Sequence, residues 1–531
     1  MNNRFPLLCL SLVAAGWPVA GLAQSRADLA TLLTRAERTD YQETSRYADV
    51  VDFVERVAAA SSKIHLTRFG YTFEGRGMPL LVVGTVEDAD AASVRATGKT
   101  RVFIQANIHA GEVCGKEAMQ MLLREIALGQ HAEWLDSLVL LIAPIYNADG
   151  NERVLLTNRG RQHGPLAGMG QRPNAQGFDL NRDHMKLDSP EARALVRLMT
   201  DYDPHVGIDL HTTNGTRHGY HITYSPPLHP NTNPAIVDLL REEWLPAAQA
   251  YMKEDRGWES FYYGNASQRE GADVPGWYTF DYRPRFNNNY LGLRNRFAIL
   301  SEAYSYATFE ERVLATKSFV EGAVRFAHLN ASRIRQAVSE ADRSPVAGTT
   351  LGVRAEPHDG GEITILMGEV DEVRNPYSGA TLLERRDVIR DVSMIDYGTF
   401  ETVESASVPA YYVVPADQRG VLEKLADHGV MMEPLASPRE ATVEVFRIDS
   451  TSVAAREFQG HRERTVFGHY EDVTQRLPAG AVVVRTDQPL GRLVFTLLEP
   501  RSDDGLLNWN VLDDFVERGG VYPIVRAMSA R

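Results

Sequence analysis

Between residues 64 and 340 the sequence alternates short apolar runs with longer amphipathic segments, and this alternation limits the possible folds more than any other feature. The clearest run is 138–145, which is almost wholly apolar, as expected for a strand buried on both faces of a sheet. The clearest amphipathic segment is 114–128, where apolar residues recur at helical spacing. Such alternation favours an α/β fold, in which helices cover both faces of a mixed, largely parallel central sheet.

The other predicted elements are spread along the chain. A helical segment at 24–62 precedes a hairpin of strands at 64–69 and 79–83. Further strands are predicted at 101–107, 205–210 and 297–300, and further helices at 190–201, 234–252 and 311–340. The helix at 190–201 has clear start signals, because Asp188 or Ser189 can cap it and Pro190 suits its first turn.

The pattern changes after Pro345, where glycine-rich turns separate short alternating runs. Strands are predicted at 362–366, 410–414 and 444–448, and helices at 420–428 and 511–518. We therefore expect a first folded domain over 24–344, followed at 345–531 by a β-rich α+β accessory region of one or two subdomains. The total length of 531 residues agrees with more than one domain.

The charge balance excludes one class of partner. The chain has 70 acidic residues against 56 basic ones, whereas a nucleic-acid-binding protein is expected to present a basic face. We therefore expect no nucleic acid partner. The sequence leaves the oligomeric state open.

The first 23 residues have the pattern of a cleaved secretory signal. Arg4 supplies the positive charge, residues 5–15 the apolar stretch, and residues 21–23 the small-residue cleavage site. The alternative is a membrane anchor, but the apolar stretch is too short to span a bilayer and Pro18 interrupts the residues after it. No other stretch approaches a spanning length. We expect a periplasmic or secreted mature chain without a membrane span.

Polar side chains stand where three of the predicted strands end. His109 and Glu112 come after the strand at 101–107, His211 after 205–210, and Glu302 after 297–300. The carboxyl ends of parallel strands meet at one edge of a sheet, where ligands bind. Two histidines and a glutamate are a suitable ligand set for a catalytic zinc ion, which keeps a fourth position for water. A single histidine in a loop is usually a surface group, so the prediction depends on the four positions together.

The order of these motifs resembles that of the zinc carboxypeptidases, the carboxypeptidase A-like metallopeptidases. The pattern consists of His109-x-x-Glu112, then 179–182 with the sequence Asp-Leu-Asn-Arg, then His211, then Glu302. It covers about residues 45–330. The resemblance implies a zinc-dependent metallopeptidase that acts on peptides or peptide-like substrates, and within that class a metallocarboxypeptidase.

The resemblance also implies roles for these residues. The two histidines and Glu112 would hold one zinc ion, and Glu302 would be the general base for the attacking water and later the acid for the leaving amine. Asn181 and Arg182 would hold the substrate carboxylate, the arginine through a bidentate fork. Asp209 could orient either His109 or His211 through a hydrogen bond.

The family uses an arginine upstream of Asn181 to stabilise the oxyanion of the transition state. Arg159 and Arg161 both lie in that loop, and the sequence leaves the choice between them open. The chain also departs from the pattern at Gly111, because the pancreatic-type members carry an arginine just before the ligand glutamate. That departure removes one group able to polarise a carbonyl.

A mobile tyrosine of the family has three candidates here, Tyr278, Tyr282 and Tyr290. We take Tyr290 as the substrate-binding one, because it ends a stretch at 283–290 that is rich in polar side chains.

Two other functions agree with the same residues. A zinc amidase or deacylase could act on cell-wall peptides or on N-acyl amino acids. A non-catalytic peptide-binding protein with a vestigial zinc site belongs to another class, and the presence of all the mechanistic residues counts against it.

Overall fold

The computed structural model describes residues 28–213, 215–268 and 273–529. The predicted signal at 1–23 lies outside the described residues. Within those ranges, no helix is both long and apolar enough to cross a membrane.

The first part of the chain is built on one eight-stranded sheet with the strand order β1-β2-β4-β3-β5-β10-β6-β7. The strands of this part are β1 Ile64–Tyr71, β2 Gly77–Val83, β3 Thr100–Ala106, β4 Leu138–Ala143, β5 Val206–Thr212, β6 Ile222–Ser225, β7 Ser260–Tyr262, β8 Asn265–Ser267, β9 Gly276–Tyr278 and β10 Phe297–Ala303. The four central strands, β4, β3, β5 and β10, pair in parallel. Strands β1 and β2 pair antiparallel with their neighbours, and β6 pairs antiparallel with β10 but parallel with β7. This confirms the predicted mixed, largely parallel sheet.

Helices cover both faces of this sheet, as predicted. The helices are α1 Arg35–Arg38, α2 Tyr47–Ala60, α3 Ala91–Ala96, α4 Cys114–Ala127, α5 Trp134–Ser137, α6 Ala148–Glu152, α7 Pro190–Asp201, α8 Pro234–Leu239, α9 Leu245–Arg256, α10 Asn287–Leu293, α11 Phe309–Leu329 and α12 Ala331–Arg343. Strand β3 shows the two faces, since Val102 and Ile104 join one apolar cluster with Leu122 of α4, whereas Phe103 joins another with Leu195 of α7. Alternate residues of a strand point to opposite faces of the sheet.

Three long predicted helices are interrupted. The segment predicted at 311–340 forms α11 and α12, which are separated at Asn330. The segment at 24–62 is broken where Asp40 and Tyr41 take positive φ angles. The segment at 234–252 contains one π-helical stretch at Leu240–Trp244 between α8 and α9. Apolar spacing continues through such local irregularities, so periodicity alone does not locate them.

The accessory region is β-rich, as predicted. Its strands are β11 Thr350–His358, β12 Glu362–Arg374, β13 Thr381–Tyr397, β14 Thr399–Ser407, β15 Tyr411–Val414, β16 Glu433–Pro434, β17 Arg439–Val453, β18 Arg464–Leu477, β19 Val482–Arg485 and β20 Val525–Ala527, and its helices are α13 Arg419–Asp427, α14 Gly491–Leu498 and α15 Asp513–Gly519. The sequence did not predict α14, since a short apolar run is equally compatible with a buried strand. Strand β13 pairs with β9, so one sheet contains strands from both sides of the predicted boundary at 344/345.

The two parts also share an apolar cluster and buried polar contacts. Tyr290 and Leu293 of α10 belong to the same cluster as Tyr412 and Trp509 of the accessory region. The Tyr290 hydroxyl lies 2.8 Å from His428 Nδ1, and His428 Nε2 lies 3.0 Å from the carbonyl oxygen of Met185. Burial lowers the pKa of His428 to about 3.

The buried His428 is expected to weaken the protein in acid. Below its unfolded pKa of about 6.5 the unfolded chain binds a proton that the folded chain excludes, so stability falls as the pH decreases from 6.5 towards 3. The variant His428→Gln keeps an acceptor and a donor but does not titrate. Urea denaturation at pH 7 and pH 5, with chelator present, should show a smaller loss of unfolding free energy in this variant, by up to about 1.4 kcal/mol per pH unit. Equal losses in the two proteins would contradict this role.

Candidate metal centre and substrate cavity

The sheet edge brings the three predicted metal ligands together. Asn107 directly follows β3 and has a φ of 67°, and the next turn is closed by a hydrogen bond from the Glu112 N–H to the His109 carbonyl oxygen. His109 Nδ1 lies 3.0 Å from Glu112 Oε1, and His211 Nδ1 lies 2.9 Å from Glu112 Oε2. The two Nδ1 atoms are 3.2 Å apart. All three side chains are buried.

This arrangement fits a zinc ion. Two ring nitrogens that face each other beside a carboxylate can share one cation, and nitrogen and oxygen donors of this kind are suitable for zinc. Burial raises and the neighbouring His109 lowers the pKa of Glu112, and the net result is a pKa well below its usual value. Glu112 is therefore ionised, as a ligand must be.

Each histidine has a carboxylate on the far side of its ring. Asp179 Oδ1 lies 3.0 Å from His109 Nε2, and Asp209 Oδ2 lies 2.9 Å from His211 Nε2. Carboxylates in this position fix the ring orientation of metal-binding histidines. Of the two alternatives left open for Asp209, the structure shows the contact with His211. The sequence did not predict the contact of Asp179 with His109.

A second group of possible ligands, Glu125, His131 and Glu321, lies elsewhere in the described part of the chain. The Lys317 ammonium nitrogen lies 2.9 Å from Glu125 Oε2 and 2.7 Å from Glu321 Oε1, so a side-chain cation already neutralises these carboxylates. This group is an ion-pair network rather than a second metal centre.

Glu302 lies beside the ligands because β10 pairs with β5 and places Glu302 opposite His211. Within the described ranges, its Oε2 atom is buried and has no hydrogen-bond partner. Burial, with the nearby Glu112 charge, raises the pKa of Glu302 to about 8, although His211 opposes the shift. A cation bound by the neighbouring ligands would favour the ionised form of Glu302, whose free oxygen could then accept a proton.

These groups line one cavity of about 170 Å³. Its lining consists of His109, Glu112, Arg172, Asn181, Arg182, His211, Thr212, Thr213, Tyr263, Phe280, Phe286, Leu300 and Glu302. The predicted anchors Asn181 and Arg182 are therefore in the cavity. The Arg182 guanidinium carbon lies 3.8 Å from the centre of the Phe286 ring. The lining thus combines cationic groups with aromatic rings, and Arg182 packs directly on one of these rings.

The two predicted oxyanion arginines lie in different surroundings. Arg159 contacts Glu112 Oε1 through Nη2 and packs over Gly111, where a Cβ atom would lie 3.1 Å from Arg159 Cγ and 2.7 Å from the Gly170 carbonyl oxygen. Gly111 therefore leaves room for Arg159. Arg161 is exposed and is not among the cavity-lining residues.

Sequence reasoning missed a third arginine. Arg172 lines the cavity, with Nη1 3.6 Å from Glu112 Oε1 and Nε 2.8 Å from Asp179 Oδ2. It belongs to the same loop and lies closer to Asn181 in the sequence than Arg159 does. The sequence signal that could have identified Arg172 is its position in the loop upstream of Asn181.

The structure does not bring Tyr290 to the cavity. Tyr290 is buried against His428, Tyr282 donates its hydroxyl to Asp503, and Tyr278 stacks on Tyr397 with ring centres 4.4 Å apart. Helix α10 turns Tyr290 towards the accessory region, which sequence spacing does not reveal.

Among the described residues, the tyrosine that lines the cavity is Tyr263. Its ring packs against Phe280 with centres 5.5 Å apart, and its hydroxyl accepts a hydrogen bond of 3.0 Å from Asn265 Nδ2. Tyr263 lies in the turn between two very short strands, β7 and β8, for which the sequence has no clear pattern.

The α/β sheet and the group of two histidines and one glutamate at its edge are typical of the class of α/β metallohydrolases. Residues 50–280 match the model of the zinc carboxypeptidase family, and this match supports a zinc metallopeptidase. The matched segment ends before Glu302.

Curated relatives extend the similarity along most of the chain. Carboxypeptidase 2 of Trichophyton rubrum is 23% identical over 507 residues, covering 89% of this chain and 85% of the relative. Carboxypeptidase 2 of Trichophyton equinum is 24% identical over 509 residues, with the same coverage. An alignment of this extent reaches into the accessory region.

Solved structures similar to this chain include metallo-carboxypeptidases from Burkholderia cenocepacia and Pseudomonas aeruginosa. The first has a TM-score of 0.41 at 17% identity and covers 54% of this chain and 70% of its own. The second has a TM-score of 0.40 at 16% identity and covers 55% and 70%. Similarity at this level supports no inference about substrate or mechanism.

Proposed function

We propose that this chain is an exported zinc metallocarboxypeptidase that removes single residues from the carboxyl ends of peptides. The observation that carries the proposal is the single cavity shared by three metal ligands, the free carboxylate oxygen of Glu302, and the pair Asn181 and Arg182. A metal centre with a nearby base is suited to hydrolysis, and an arginine at the same wall is suited to a terminal carboxylate.

In this proposal each residue has one task. His109, Glu112 and His211 hold one zinc ion, which when bound supplies Lewis-acid polarisation and makes water more acidic. Glu302 takes the proton of the attacking water on its unpaired Oε2 and later gives it to the leaving amine. Arg182 forms a bidentate pair with the substrate carboxylate.

The cavity dimensions favour removal of one terminal residue. About 170 Å³ accommodates one large side chain rather than an extended stretch of peptide. The lining also contains Phe280, Phe286 and Leu300. We therefore expect peptides with an apolar or aromatic terminal residue to be preferred, because those side chains gain most from contact with apolar walls.

We assign the oxyanion role to Arg172, because it lines the cavity and is held by Asp179. Replacing Arg172 by Met should lower kcat by about 10²–10³-fold, the usual cost of losing one donor to the developing charge. Arg161→Met is the matched control, since that side chain is exposed, and it should keep nearly full activity. Steady-state kinetics on one peptide test both variants. Full activity of Arg172→Met would contradict the assignment.

The test of the function is hydrolysis of a mixed peptide library, with product masses read before and after chelation. We expect loss of single residues from free carboxyl ends, much slower loss from amidated peptides, and no reaction after chelation. Internal cleavage, or equal cleavage of amidated peptides, would contradict the exopeptidase proposal. Cleavage restricted to N-acyl amino acids would favour the deacylase alternative.

Export is supported by the sequence at 1–23. Amino-terminal sequencing of the protein recovered from outside the cytoplasm should find a mature chain that starts near Gln24. Recovery of the intact chain from the cytoplasm alone would contradict export.

A further inference from the structure

A hairpin loop of the accessory region reaches the first part of the chain, before residue 345, beside the candidate metal centre. We call this first part the catalytic domain. This docking loop, residues 454–463, joins β17 to β18. His461 Nε2 lies 2.7 Å from Asp188 Oδ2, and Glu463 Oε1 lies 2.5 Å from Arg285 Nη2. Arg285 is buried and pairs also with Asp504, so this part of the interface is well packed. The contacts of His461 and Glu463 therefore hold the loop in place independently of Gln459.

Gln459 stands at the tip of this loop in an uncommon conformation. Its φ is 53° and that of Gly460 is 81°, while Phe458 and His461 exchange both backbone hydrogen bonds. Two central residues with positive φ define a type I′ turn, where asparagine and glycine are preferred to a longer side chain. The turn itself therefore does not explain why position 459 is a glutamine. A positive φ at a residue other than glycine is locally strained, and strain of this kind tends to occur at functional sites.

The Gln459 side chain contacts the catalytic domain at one atom. The backbone N–H of Asp179 donates to Gln459 Oε1 at 2.8 Å. Asp179 in turn has three short contacts through its carboxylate, to His109 Nε2 at 3.0 Å, to the Asn181 N–H at 2.9 Å and to Arg172 Nε at 2.8 Å. The position of Asp179 thus sets the orientation of a metal ligand and of a cavity-lining arginine at the same time.

We propose that Gln459 is a positioning residue of the active site, which acts through Asp179 on His109 and Arg172. The proposal rests on the proposed function, since it assumes that His109 binds zinc. Under this proposal the accessory region contributes to the function of the active site as well as covering the core. Partners behind metal ligands typically contribute 10–100-fold to metal affinity or activity, and Gln459 is one contact further out, so we expect an effect of about 3–10-fold.

The variant Gln459→Asn separates this role from a purely structural one. Asparagine suits the left-handed turn better than glutamine does, so the variant should be at least as stable as the wild type. Its side chain is one methylene shorter and does not reach the Asp179 N–H. Gln459→Glu keeps a side chain of the original length with an acceptor oxygen at its end, so it is the conservative variant that should retain the contact with the Asp179 N–H. The matched control is His461→Leu, which removes another contact of the same loop without touching Asp179.

The readouts are the zinc dissociation constant by chelator competition, the visible spectrum of the cobalt-substituted protein, Tm, and kcat with KM. Gln459→Asn should raise the zinc dissociation constant about 3–10-fold, alter the cobalt spectrum and lower kcat more than it raises KM, at an unchanged or higher Tm. Gln459→Glu should restore the zinc dissociation constant to within about 3-fold of the wild type. His461→Leu should lower Tm and leave zinc affinity and the cobalt spectrum unchanged.

Wild-type zinc affinity and an unchanged cobalt spectrum in Gln459→Asn would overturn the proposal, and so would equal changes in Gln459→Asn and His461→Leu. The metal readouts do not depend on the substrate. A wild-type protein that binds zinc but cleaves no peptide would therefore contradict the proposed function, while the zinc and cobalt results still decide on Gln459.

Discussion

Glu302→Gln should lower kcat by about 10²–10⁴-fold, while the protein still binds one zinc ion per chain. The substitution keeps the shape and burial of the side chain but removes the group that accepts the proton, and general base catalysis contributes about 10²–10⁴-fold by itself. Glu302 is not among the three clustered ligands, so the metal centre should stay intact. Metal analysis and steady-state kinetics on the same preparation measure the two quantities together.

Glu310→Gln is the control for this experiment. Glu310 is an exposed carboxylate in the first turn of α11, the helix that follows the strand carrying Glu302. The control should be fully active. Substantial turnover in Glu302→Gln, or loss of zinc from it, would show that Glu302 is not the base or that it acts as a ligand.

The sequence predicts the central sheet and the convergence of the candidate metal ligands well, for a shared physical reason. Strands buried on both faces are recognisable as apolar runs, and the groups at the carboxyl ends of parallel strands must meet at one edge. His109, His211 and Glu302 all stand at or just beyond such ends, so their convergence results from the order of the elements.

The remaining parts of the site lie in loops, whose sequences lack the regular spacing of apolar residues that marks helices and strands. Arg172 and Tyr263 reach the cavity through irregular backbone, and nothing in their spacing distinguishes them from Arg159 or Tyr290. Gln459 lies about 280 residues beyond Asp179 in the sequence, and the two meet only because the docking loop packs against the catalytic domain. Contacts of this kind depend on tertiary packing, which local sequence patterns do not specify.

Arg182→Met should lower kcat/KM by about 100-fold for peptides with a free terminal carboxylate, mainly through a higher KM. A charge-assisted pair contributes about 1.5–3 kcal/mol, and each 1.4 kcal/mol corresponds to a factor of ten. The Arg182 guanidinium lies over the ring of Phe286, at 3.8 Å, and its Nη1 donates to the Asn181 carbonyl oxygen at 2.7 Å. Its position is therefore fixed before substrate arrives, so little entropy is lost when the carboxylate binds.

Two comparisons show whether this effect comes from the substrate carboxylate. Arg182→Lys keeps the charge but not the planar fork, so its loss should lie between those of the wild type and Arg182→Met. An amidated peptide has no carboxylate to lose, and its slow hydrolysis, if measurable, should be nearly the same in all three proteins. An equal loss for free and amidated peptides would mean that Arg182 supports the cavity wall through Phe286 rather than recognising the terminus.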